Sequence, residues 1–259
     1  MSKIEAIVIR DSVSTSGSRL ITWQVEAPKF LVAQVNTHRA LVKSWESSRA
    51  VPVQRNIERV ESNPFVPSSF GKNKPGMVSD QEVEDADAAL QIWSSATYWA
   101  LYYAKAMQRI GVHKQHANRL LEPFLTVRGV ITATDTANFF ALRLAHDAQP
   151  EMQMLARAMR ESMEASRPAR LDYDEWHTPY SDGDRDEASA RVARSSYRKH
   201  DGSAADPVED RRLAGRLLTD KHMTPFEHVA RPMADGEDQI GALIGWRTYR
   251  HEIEMREAA

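Results

Sequence analysis

QVNTHRALVKSWESSR, residues 34–49, concentrates the chemistry of this chain. His38 and Arg39 are followed by seven residues and then by Ser47, Ser48 and Arg49. Two guanidiniums, an imidazole and two hydroxyls this close together make a candidate anion site. Arginine's planar fork matches phosphate oxygens, and serine hydroxyls can serve the remaining lone pairs. A solvated basic helix end is the competing reading, because charged side chains usually face water. Pro28 suits a first helical turn, and Leu31, Val32, Val35 and Val42 fall on one broad face with His38 between them. That pattern predicts a helix running from Pro28 into the motif.

Upstream, KIEAIVI (3–9) and LITWQVE (20–26) are rich in β-branched and apolar residues and flank the turn-forming SVSTSGS, which predicts a strand pair. Downstream, 50–80 carries Pro52, Pro64, Pro67 and Pro75 with Ser68, Ser69, Gly71 and Gly76, and reads as an irregular excursion. Loops of that length are uncommon and often functional; Lys72 and Lys74 would let this one cover an anion site. Residues 81–110 repeat apolar side chains at helical spacing and end at Gly111, so one long helix is expected, with Trp93, Trp99 and Tyr103 in the core rather than around a cofactor. A helix over 113–121 stops before Pro123, and TVRGVIT (126–132) reads as a strand. Asp135 is placed to cap a helix to 146, and another spans 148–166. Residues 167–186 are punctuated by Pro, Gly, Asp and Ser and read as a linker or surface loop. Helical patterns resume at 187–197 and 207–219, and HMTPFEH (222–228) reads as a turn.

With 259 residues, the chain suits one large domain or two small ones at roughly 150 residues per domain. Apolar content of 42% and charged content of 27% are those of a soluble globular protein. A net charge of −2 and the lack of a basic stripe interleaved with aromatics count against a nucleic-acid partner, so any anion site must be local. No apolar run approaches the ~20 residues of a membrane helix, and MSKIEAIVIRDS lacks the apolar core of a secretory signal. A cytoplasmic protein without a membrane partner is expected. Cysteine is absent, which excludes disulfides, zinc–thiolate sites and thiol nucleophiles. His113 and His116 have the spacing of a metal pair, but no matching acid-and-histidine set follows, so no metal is expected.

Three more segments join the first: ANRLLEP (117–123) with Arg119, NFFALRLAHDAQ (138–149) with Asn138, Arg143 and Gln149, and HMTPFEH. Together with Gln34 and the 34–49 motif, this set resembles the flavin-dependent thymidylate synthases in a divergent bacterial or phage form. That family carries Arg-His-Arg, seven residues, then Ser-x-Arg, with a Gln three residues ahead. Here the match is Gln34, Thr37-His38-Arg39 and Ser47-Ser48-Arg49. The family's Asn-Phe-x-x-Leu-Arg helix and following Ala-Gln match Asn138, Phe139, Leu142, Arg143, Ala148 and Gln149. ARSSY (193–197) is similar to its Ala-Arg-Val-Ser-Tyr stretch. The order differs: ARSSY and HMTPFEH precede the His-Arg motif in the family and follow it here, as in a circular permutation. Permutation is tolerable where chain termini lie at the surface and close together. The resemblance therefore implies one α+β domain over 1–259, a twisted antiparallel sheet with flanking long helices. Residues 1–166 would form the core, 167–186 a linker, and 187–259 the equivalent of the family's N-terminal part.

The resemblance also implies an activity, methylation of dUMP to dTMP with methylenetetrahydrofolate and NADPH through FAD, without a cysteine nucleophile. Gln34, Ser47, Ser48, Arg49 and Arg119 would hold the phosphate and sugar of dUMP. Arg143 would face the pyrimidine and act catalytically with His38. His38, Arg39, Asn138, Ser196, His222, Thr224 and Glu227 would surround FAD, and each site would be shared among subunits of a homotetramer. Several positions depart from the pattern. Thr37 replaces an arginine, Val42, Ser44 and Trp45 replace polar residues of the seven-residue gap, Glu46 sits one position late, and Thr132 and Thr134 replace an Asn-x-Arg. The basic tail Trp246-Arg247-Thr248-Tyr249-Arg250 could supply cations lost this way. Two alternatives stay open, a dUMP hydroxymethylase on the same scaffold and a non-catalytic dUMP-binding relative.

Overall fold

The computed structural model describes residues 4–75, 78–195 and 203–258. Strands β1 (Glu5–Ser14) and β2 (Arg19–Pro28) pair antiparallel around a tight turn closed by Gly17, whose φ of +88° only glycine adopts freely. Strand β3 (Val42–Trp45), β4 (Thr126–Ala133) and β5 (Ala169–Leu171) complete a sheet of order β3-β4-β2-β1-β5. The sheet is antiparallel as expected, with β5 added at one edge parallel to β1.

Strand alternation gives the two faces different chemistry. Ile21, Trp23, Val25 and Ala27 of β2, with Ile131 and Ala133 of β4, bury one face under Met152, Leu155 and Met159 of helix α6 (Pro150–Ala165). The opposite face buries the hydroxyls of Ser12, Thr22 and Thr132 beneath residues that follow β5.

The helix expected to run from Pro28 through the motif is shorter. Helix α1 (Leu31–Asn36) ends before His38, and Val42 belongs to β3. Pairing with β4 overrides the helical pattern, and Trp45 packs its ring onto Gly129, where a Cβ would come within 2.3 Å of the ring. The excursion after the motif contains helix α2 (Val53–Ser62), whose Val53, Ile57 and Val60 are buried at helical spacing. They pack with Ala104 of helix α3 (Ala86–Arg109) and with Leu121 and Phe124 of a 3-10 helix over 118–124 that follows helix α4 (Lys114–Ala117). Trp93 packs here as expected, but Trp99 and Tyr103 are half exposed, beside Tyr98 and Tyr102 on the outer face of α3. Helix α5 (Ala137–Arg143) follows β4, with Asp135 accepting from the Ala137 amide.

Residues 167–186 are not a surface loop. They supply β5 and the fully buried His177. Beyond them, helix α7 (Arg185–Ala193), helix α8 (Pro207–Thr219), the hairpin β6 (Ala230–Pro232) and β7 (Trp246–Thr248), and helix α9 (Tyr249–Ala258) follow in order. Ala188, Ala190, Ala214, Phe226, Val229 and Tyr249 form a core among them.

Candidate active site

The turn between α1 and β3 meets α5 around a cavity of about 380 Å³ lined by Thr37, His38, Arg39, Asn138, Phe139 and Arg143, among others. His38 is 8% exposed and stands edge-on to Phe139, with ring centroids 4.9 Å apart. Arg143 Nε donates to His38 Nε2 at 2.8 Å. Burial lowers the His38 pKa, and the Arg143 and Lys43 cations lower it further. The imidazole is therefore neutral at pH 7. Because Nε2 accepts from the guanidinium, its proton sits on Nδ1. Lys43 Nζ donates to the His38 carbonyl at 2.6 Å and ties the turn to β3. Among the described residues, the Nη groups of Arg143 and the whole Arg39 guanidinium make no hydrogen bond or ion pair. His38 thus aims Arg143 and leaves its outer donors available.

A larger cavity, about 1020 Å³, lies against α1 itself, which lines it with Val32, Ala33 and Asn36. Phe30, Trp93 and Pro123 give it apolar walls, and Lys29, Arg119, Glu122, Gln149 and Glu151 give it charged and polar ones. Gln34 donates to Gln149, Gln149 donates to Glu151, and Glu151 also accepts from the Ser68 amide and hydroxyl. Ser48 Oγ donates to Glu122 Oε1 at 2.6 Å, and Arg119 Nη1 reaches the same carboxylate at 3.2 and 3.3 Å. Ser47 and Arg49 lie exposed on the turn, where the Ser47 hydroxyl accepts from the Arg49 amide. The expected phosphate set is therefore divided, with Arg119 at the cavity, Gln34 behind Gln149, and Ser48 turned onto Glu122. Sequence pattern marks Ser68 only as loop punctuation and gives Glu122 and Glu151 no functional signal. Glu122 stands three residues after Arg119, a spacing that signals a helical ion pair.

HMTPFEH folds as a 3-10 turn over Thr224–Glu227 and packs beside β3. His222 and Thr224 are exposed, Glu227 pairs with Arg250, and none of the three lines either cavity. Ser196 lies outside the described residues. The basic tail is already engaged: Arg250 also pairs with Glu254, and buried Arg247 donates to the Asp238 carbonyl. His228 is fully buried, with Nδ1 2.8 Å from Thr132 Oγ1 and Nε2 3.0 Å from Ser44 Oγ. Thr132 bonds Thr22 at 2.6 Å, Thr22 bonds His177 Nε2 at 2.8 Å, and His177 Nδ1 bonds Ser12 at 2.9 Å. One hydrogen-bonded chain thus crosses four strands, from Ser12 on β1 to Ser44 on β3. Burial pushes the His228 pKa down to about 3 and that of His177 well below the ordinary histidine value, so both rings are neutral. Thr132 and Ser44, departures from the family pattern, find their use here.

No curated protein matches this chain. Among solved structures it is similar to the UMP/dUMP methylase PolB from Streptomyces cacaoi bound with 5-Br UMP, at 19% identity and a TM-score of 0.50 over 64% of this chain and 90% of that one. The same methylase bound with 5-Br dUMP aligns at 17% identity and a TM-score of 0.51, over 64% and 91% of the two chains. These likenesses describe the fold. The family model for the thymidylate synthase complementing protein, Thy1, matches residues 4–169, which hold strands β1 to β4 of the five-stranded sheet and both cavities. This chain belongs to that family, the flavin-dependent thymidylate synthases, and is an enzyme of their methyl- or hydroxymethyltransferase type.

Proposed function

We propose that the protein methylates dUMP to dTMP, taking the one-carbon unit from methylenetetrahydrofolate and reducing power from NADPH by way of FAD. The observation that carries this reading is the Arg143–His38 pair, a guanidinium held by a neutral buried imidazole with its outer donors available at a cavity. Arg143 stabilises negative charge developing on the pyrimidine, as a donor fixed in advance does most effectively. Arg119, with Gln34, Ser47, Ser48 and Arg49, receives the nucleotide's phosphate and sugar. Uridylate analogues in the similar methylase support a pyrimidine nucleotide substrate.

The smaller cavity suits FAD in its donor chemistry. Arg39 and Asn138 are exposed there beside Arg143 and can serve anionic and carbonyl edges. Bound flavin would supply redox chemistry that a chain without cysteine cannot draw from a thiol. His222, Thr224, Glu227 and Ser196 would complete the flavin site across a homotetramer, a reading supported by the exposed aromatic face of α3. Large exposed apolar patches mark association surfaces. Residues 187–259 would replace the family's N-terminal part. Their tie to β3 and β4 through His228 supports this reading. A chain ended at residue 169 should then be insoluble, because it strips His177 and His228 from the three buried hydroxyls of Ser12, Thr22 and Thr132; a soluble, folded fragment would contradict this.

Titrating purified protein with FAD and then dUMP, followed by flavin absorbance, tests the reading. Flavin bands that appear and shift with dUMP are expected. Protein that binds dUMP yet takes up no flavin would leave a nucleotide-binding relative. A pH profile of activity tests the role of His38. Acid must protonate Nε2 and remove the acceptor that aims Arg143, so activity should fall in a step lying below the ordinary histidine pKa. His38→Gln should lose that step.

A further inference from the structure

Ser48 and Arg119, two of the groups assigned above to the nucleotide phosphate, are already bound to an anion of the protein's own. The Glu122 carboxylate takes the Ser48 hydroxyl at 2.6 Å and the Arg119 guanidinium at 3.2 Å. It also lies between Ser48 and the large cavity, which Arg119 lines directly. Glu122 lines the large cavity, and it lines the small recess of about 10 Å³ that holds Ser48. The Ser48 hydroxyl is therefore walled off from the cavity by the carboxylate it donates to.

We propose that Glu122 is a built-in competitor for the nucleotide's phosphate, holding Ser48 and Arg119 until the phosphate displaces it. The proposal rests on the dUMP reading of the preceding section. Carboxylate and phosphate oxygens compete for the same hydroxyl and guanidinium donors. A dianion and a carboxylate cannot share them, because like charges at contact distance repel strongly. The backbone that carries Ser48 is tied down independently of Glu122: Asn118 Nδ2 donates to the Ser48 carbonyl at 2.6 Å and to the Val51 carbonyl at 2.9 Å. The Glu122 side chain is 20% exposed and has an outlet into the open cavity. Competition of this kind sets affinity through the phosphate and is blind to the base. It therefore makes Glu122 an affinity-setting residue and gives it no part in the chemistry.

Calorimetric titration of the full chain with dUMP and with deoxyuridine tests this. Glu122→Gln keeps the size of the side chain and an oxygen for Ser48 while removing the charge. It should tighten dUMP binding about tenfold and leave deoxyuridine unchanged. Glu122→Ala should tighten dUMP as well. Unchanged or weaker dUMP binding in a folded Glu122→Gln protein would overturn the proposal. So would loss of the fold, which would make the carboxylate a structural tie. Inorganic phosphate separates this inference from the nucleotide reading. Phosphate that binds more tightly to Glu122→Gln, with no dUMP binding to any variant, would overturn dUMP as the ligand and keep Glu122 as the competitor.

Discussion

Arg143→Gln is expected to lower kcat by about a hundredfold or more while leaving dUMP affinity within a few fold. The guanidinium is fixed before substrate arrives by its Nε bond to His38 and by its place at the end of α5. A donor oriented in advance loses little on reaction, and removing one such donor typically costs about 10²–10³ in rate. Gln retains bulk and some hydrogen-bonding capacity but loses the charge that meets the developing anion. On the proposed reading phosphate contacts supply most of the ground-state binding, so the loss should fall on kcat and not on KM. Arg143→Lys should recover little, since a point ammonium cannot bond His38 and present a fork outward at once. Steady-state kinetics check this. A normal kcat with raised KM would make Arg143 a binding residue only.

Acid should unfold the protein steeply, and the buried histidines should set the slope. Unfolded, each imidazole takes a proton near pH 6.5. Folded, His228 does so only near 3, and His177 well below its ordinary value. Below pH 6.5 the unfolded chain therefore binds more protons, so stability is complete above that pH and falls as pH drops. The pair should remove about 3 kcal/mol per pH unit, against a typical total of about 5–15 kcal/mol. The geometry reinforces the effect. If both rings are charged, both donate inward, and of the two protons on the Thr22 and Thr132 hydroxyls only one finds an acceptor between them. Urea unfolding between pH 5 and 7 measures the slope. His228→Asn should be less stable at pH 8 yet lose about one proton of acid dependence. An unchanged slope would show that His228 is not neutral in the folded protein.

Much of this was legible in the sequence, for stateable reasons. The strand pair around Gly17 and the long helix at 86–109 followed from local pattern, and the family motif named His38 and Arg143 without showing that they touch. The misreadings share one cause, tertiary contact overriding local signal. Val42 looked helical beside Val35, but pairing with Thr132 made it a strand. Pro52 looked like loop punctuation and instead starts α2. His177 sat in a stretch rich in Asp, Gly and Pro, where nothing marked it as the partner of Thr22 more than 150 positions away. Nothing in ANRLLEP distinguishes Glu122, because a lone glutamate says nothing until Ser48 is seen beside it.

The mass of the nucleotide product decides whether the protein transfers a one-carbon unit to dUMP at the Arg143–His38 site. Protein loaded with FAD should be incubated with dUMP, methylenetetrahydrofolate and NADPH. The nucleotide should gain CH2, and the gain should vanish in Arg143→Gln. A gain of CH2O would replace methylation with hydroxymethylation on the same site. An unaltered nucleotide, from protein that has bound both flavin and dUMP, would contradict the account.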